Sequence, residues 1–230
     1  MEIVIFTKES KLADLISANR NLILVLPRFG IELGFGDKSV EDVCQMYGVD
    51  VQMFLMFCKV YTFNDYLPTI EQIREAKFED LLKYLEASHK YYKESRIPHI
   101  ARHLDHLAAA MPEKDGKLLR RFYKEYEAEV DNHFMYEEST VFPYIQELTT
   151  GSRSSSFTIE TFEENHSNIE DKLSDLKNII IKYLPAGILP EERISILFDL
   201  FRLAEDLDKH TLIENKILAP YVELLEAGMQ

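Results

Sequence analysis

The stretch Glu129-Val-Asp-Asn-His133-Phe-Met-Tyr-Glu137-Glu-Ser-Thr-Val-Phe-Pro143 decides how this chain is read. It lies in a run, residues 117–148, in which Leu119, Phe122, Tyr126, Val130, His133, Glu137, Val141 and Tyr144 follow one another at steps of three or four. Those steps place all eight on one face of a helix. An imidazole and a carboxylate on an apolar stripe are costly to bury unless something binds them. His and Glu four residues apart share that face, one turn from each other.

The same reading extends along the chain. Residues 191–225 carry Leu203, Leu207, His210, Glu214, Ile217 and Tyr221 at helical steps, again a His-x-x-x-Glu pair on an apolar stripe. Residues 158–183 carry Phe162, His166, Ile169, Leu173, Leu176 and Ile180, and residues 78–110 carry Leu82, Leu85, His89 and Tyr92. The separators, residues 111–116, 149–157 and 184–190, have the lengths that join antiparallel neighbours. The expected fold is therefore all-α, an up-down-up-down four-helix bundle. Pro98 should kink or interrupt the first rod.

The four histidines fall at similar heights. His89 lies 21 residues before Ala110, His133 16 after Lys117, His166 17 before Tyr183 and His210 19 after Glu191. That spread corresponds to roughly 7 Å along a helix, so one layer can hold all four rings. One His-x-x-x-Glu pair is common on a helix surface, and a lone core histidine usually just finds a hydrogen bond. Two pairs and two lone histidines in register read instead as a cage for two ions. The candidate ligands are His89, His133, Glu137, His166, His210 and Glu214. A carboxylate at i+4 can bridge two metals while its imidazole ligates one. Nitrogen and oxygen donors without thiolate suit iron or manganese, with zinc as an alternative. His99, His103 and His106 follow Pro98 and lie too far along the first rod for that layer. A surface position is expected for them, the alternative being a place beside the site or its channel.

Composition limits the rest. The chain has 230 residues, 46% of them hydrophobic, and a net charge of −14. That charge argues against a nucleic-acid partner, and its acidic residues are spread along the chain as solvated helix faces are. No run of 18 apolar residues is present, so no membrane span is expected. Two cysteines, Cys44 and Cys58, without metal or disulfide spacing, and a start without signal-peptide character predict a cytoplasmic protein with reduced thiols.

Residues 1–66 differ in texture. Short helical patterns at 12–18, 22–29, 40–47 and 51–60 are broken by turn signals, with Ser39 and Asp42 as a capping box and Asp50 as a second cap. Residues 1–66 are expected to form a small helical module and 67–77 a linker. Residues 78–228 would form the bundle.

The bundle resembles the hemerythrin-like cation-binding domain. The whole chain resembles the di-iron family that repairs iron–sulfur centres damaged by nitric oxide or peroxide. The resemblance rests on Leu85-Glu-Ala-Ser-His89, on the quoted block 129–143, on Glu164-Asn-His166 and on Asp208-Lys-His210-Thr-Leu-Ile-Glu214-Asn-Lys-Ile-Leu-Ala-Pro220. Each His-x-x-x-Glu block ends in a proline six residues after its glutamate. The resemblance implies iron ligation by His89, His133, Glu137, His166, His210 and Glu214, an oxo or hydroxo bridge, and a stress-response role. NO, O₂ or peroxide would be the ligands and damaged iron–sulfur proteins the clients. A homodimer is compatible with the chain but no feature demands one. The N-terminal turn around Phe29-Gly-Ile-Glu-Leu-Gly-Phe-Gly-Asp also resembles that family, except that Gly34-Phe35 replace its usual adjacent cysteines. Whether the protein turns over a substrate stays open. The alternative is a protein that stores or senses O₂ or NO.

Overall fold

The computed structural model describes residues 6–151, 158–159 and 169–228. Most of them are helical, with an isolated antiparallel bridge between Lys11 and Ser39. The protein is an all-α helical bundle, as its periodicity predicts. It divides into two compact units, one of residues 1–88 with 209–230 and one of residues 89–208.

The first unit opens with α1 (Leu12–Ala18), α2 (Leu22–Arg28), α3 (Val40–Tyr47) and α4 (Val51–Thr62). The Ser39 hydroxyl accepts from the Asp42 N–H, and the Asp42 side chain accepts from the Ser39 N–H, closing the predicted capping box. The Asp50 side chain accepts from the Met53 N–H at the start of α4. A short helix, α5 (Ile70–Glu75), occupies the segment expected to be a plain connection. Thr69 and Gln72 cap it reciprocally, a pairing that its Thr-x-x-Gln spelling carries.

Among these elements Arg28 is buried, and its guanidinium donates to the hydroxyls of Tyr61 at 2.7 Å and Tyr84 at 3.1 Å. The Tyr84 ring packs between Phe29 and Phe57. The C-terminal residues are tied in as well. Phe78 stacks on Tyr221 at 4.5 Å, the buried Lys209 ammonium donates to the Asn64 side chain, and Lys216 donates to the Asn64 and Tyr66 carbonyls.

The second unit is built from rods that alternate along the chain. Its core joins Ile100, Leu104 and Leu107 from α7 (Ile97–Ala109) with Leu119, Tyr126 and Val130 from α8 (Glu113–Tyr136). Leu173 and Leu176 from the helix Ile169–Asn178, and Ile196, Leu200 and Leu203 from the helix Pro190–Ile213, complete it. Each such side chain, fully buried, contributes roughly 1.5–3 kcal/mol. At the tight turn between α7 and α8, a Cβ on Gly116 would collide with the Ala108 carbonyl oxygen, so only glycine permits this approach.

The rods widen where proline demands it. Tyr92–Arg96, Glu137–Val141, Ile179–Tyr183 and Glu214–Leu218 are π-helical turns. Pro98, Pro143, Pro185 and Pro220 each lie six residues after the first residue of one of these turns. Proline has no N–H and its ring clashes with the carbonyl four residues back. The residue before each one, Ile97, Phe142, Leu184 or Ala219, instead donates its N–H to the carbonyl five residues back. Three rods continue past the proline. The one at Ile179–Tyr183 ends there, with Leu184 already extended.

Candidate metal centre

His89 projects from α6 (Phe78–Tyr91) and is fully buried. Its ring stacks on Phe134 at 4.2 Å and lies nearly parallel to Phe142 at 5.6 Å. This apolar packing fixes the ring plane and keeps water from its faces. The Nε2 atom sits 3.0 Å from Glu137 Oε2. The other oxygen of Glu137 lies 3.2 Å from His133 Nε2, one turn earlier on α8. One buried carboxylate thus spans two imidazoles with one oxygen for each, the disposition of a bridging ligand.

His210 and Glu214 repeat the pairing at the end of the helix Pro190–Ile213, with His210 Nε2 3.0 Å from Glu214 Oε1 and both side chains buried. In each block the histidine lies in the last turn of an α-helix and the glutamate is the first residue of the π-turn that follows. π-turns of this kind recur at functional sites.

His89 with Glu137 in one unit, and His210 with Glu214 in the other, each set a buried imidazole within about 3 Å of a buried carboxylate, a pairing that can hold a metal ion. The donor set fits. A six-coordinate ion with donors about 2.1 Å away places neighbouring donors about 3 Å apart. The three imidazole–carboxylate separations, 3.0, 3.2 and 3.0 Å, match that edge. His166 lies outside the described residues.

The sequence reading passed over Glu138. Its Oε1 lies 3.0 Å from His89 Nδ1 and 2.9 Å from Lys93 Nζ. The hydrogen bond with His89, and then that of Lys93, hold its carboxyl down at about 2 despite partial burial. An ionised carboxylate on Nδ1 fixes the tautomer that leaves Nε2 as a lone-pair donor. The signal was present as the doubled glutamate after Tyr136, but only the packed rods bring Glu138 to His89.

The remaining candidates fall elsewhere. The Tyr92 hydroxyl donates to the Asp206 carbonyl at 3.2 Å. His103 and His106 meet Glu192, and His99 meets Asp199. His106 is exposed, as expected, while His99 and His103 are half-buried. Cys44 and Cys58 are buried and free, and burial pushes the Cys44 thiol up to about 12 and Cys58 higher still. Neither is a nucleophile or a ready ligand at neutral pH. Among the described residues no helix is long and apolar enough to cross a membrane.

Residues 80–222 match the model of the family described as Hemerythrin HHE cation binding domain, well over half of the chain. No curated protein matches it.

Proposed function

The chain belongs to the hemerythrin HHE cation-binding family, and from that premise we propose that it is a non-haem di-iron protein of the nitrosative and oxidative stress response. It acts in the cytoplasm and serves the repair of damaged iron–sulfur proteins. The observation that carries this reading is the buried Glu137 carboxylate spanning His89 and His133, with the same pairing repeated at His210 and Glu214. His133, through the second oxygen of Glu137, and His166 complete the assigned ligand set. Mixed imidazole and carboxylate ligation favours iron, with manganese or zinc as the other ions these donors accept. Residues 1–66 are assigned as an appended helical module, 67–77 as the connection and 78–228 as the cation-binding domain.

Bound iron supplies Lewis-acid and redox chemistry toward NO, O₂ or peroxide. The protein's own part is positional. Glu137 and Glu214 bring negative charge that offsets the cations, and Glu138 orients His89. Phe134 and Phe142 keep the His89 ring dry.

The deciding experiment incubates iron-loaded protein with an NO-damaged iron–sulfur enzyme. Recovery of its activity, matched by iron lost from this protein, supports repair. Reversible O₂ or NO binding without recovery supports storage or sensing. That second reading is favoured by Gly34-Phe35 standing where the resembled repair family carries two cysteines, and by the burial of Cys44 and Cys58.

A further inference from the structure

His99, His103 and His106 line one stripe of α7, at i, i+4 and i+7. They face Glu192 and Asp199, which are seven residues apart on the helix Pro190–Ile213. Three imidazoles against two carboxylates is a donor set of the same chemistry as the metal centre, in a different part of the chain.

The two carboxylates have different surroundings. Asp199 is held by the Arg96 guanidinium at 3.0 Å as well as by His99 Nε2 at 3.3 Å, so its charge is already neutralised by a fixed cation. Glu192 meets imidazoles instead, with Oε1 2.9 Å from His103 Nδ1 and Oε2 3.2 Å from His106 Nδ1. Hydrogen bonding with His103, and secondly with His106, keeps its carboxyl below the usual carboxylate range, so it is an anion at neutral pH.

We propose that His103, His106 and Glu192 form a second cation site, for a divalent ion of the zinc or nickel class. Each imidazole meets its own oxygen of Glu192, at 2.9 and 3.2 Å, so one carboxylate already draws both rings to one place. His103 is 35% exposed and His106 64%, so both rings can turn to bring their nitrogens to one ion, with water completing its coordination. His99, whose ring is tilted against that of His103 at 4.6 Å, limits how far that ring can swing away. An ion there fastens α7 to the helix Pro190–Ile213, and the net charge of −14 draws cations to the surface.

The test titrates iron-loaded protein with Zn²⁺ and follows heat release, with Cu²⁺ as a paramagnetic reporter. The proposal expects about one further equivalent of Zn²⁺ and nitrogen couplings on bound Cu²⁺. Both should vanish in His103→Ala/His106→Ala, with iron content and melting temperature unchanged. Glu192→Gln, which keeps the side chain's shape, should weaken Zn²⁺ binding at least about tenfold. Absence of the further equivalent in the unaltered protein, or its persistence in the double variant, overturns the proposal. Iron measured in the same samples keeps this result separate from that of the iron centre.

Discussion

His89 is held from both ends of its ring, with Nε2 3.0 Å from Glu137 and Nδ1 3.0 Å from Glu138, two consecutive residues of one rod. Glu137 and Glu138 are the first two residues of the π-turn that follows α8.

Glu138→Gln should therefore weaken iron retention without removing a ligand. Outer carboxylates on ligating histidines are typically worth 10–100-fold in metal affinity. Chelator competition on the loaded protein should show a loss of about tenfold or more. An unchanged release rate and affinity would mean that Glu138 does not position His89.

Gly116→Ala separates close packing from helix propensity. In an open helix the change stabilises by about 1 kcal/mol. Here the new methyl meets the Ala108 carbonyl oxygen, a backbone atom that cannot step aside cheaply. A net loss of about 1–2 kcal/mol in denaturant unfolding is expected. A more stable variant would show that the turn between α7 and α8 opens readily.

Much of the fold was legible because each rod spells its stripe in apolar steps and each cap uses its usual residues. The capping box of Ser39 and Asp42 and the cap at Asp50 stand where their spelling puts them. The short helix α5 was missed because six residues around one buried side chain, Ile73, carry too little periodicity to stand out from a connection. The prolines after Glu137 and Glu214 were visible as a spacing, but their consequence was not. A π-turn adds no apolar signature, since it is the backbone's answer to a missing N–H. Glu138 was hidden for a related reason. Its partner is 49 residues away, and helical steps alone do not tell which carboxylate of a pair faces across.

The cap at Ser39 also makes a prediction in acid. The Asp42 carboxyl is held below its ordinary value of 3.8 by the Ser39 hydroxyl and then the Ser39 N–H. A carboxyl with a lowered folded-state pKa stabilises above its unfolded value, and that contribution is lost as pH falls below it. Ser39→Ala should cost about 1 kcal/mol at pH 7, and the difference should shrink toward about pH 3. A penalty equal at both pH values would place the stabilisation outside the capping box.

The two thiols should be inert in the folded protein. With Cys44 pushed up to about 12 and Cys58 higher, a disulfide reagent at pH 8 should label neither until denaturant is added. Cys44→Ala/Cys58→Ala should keep its iron. Iron lost from that double variant would show that these thiols do the work of the cysteine pair replaced by Gly34-Phe35.

The central claim is that two bridging glutamates and the histidines around them hold a pair of ions. Iron per chain after anaerobic loading, for the unaltered protein and for Glu137→Ala, tests it most directly. The account predicts about two irons per chain, falling to one or fewer in the variant while the helical fold is kept. Less than about one iron in the unaltered protein, or the same content in both, would contradict it.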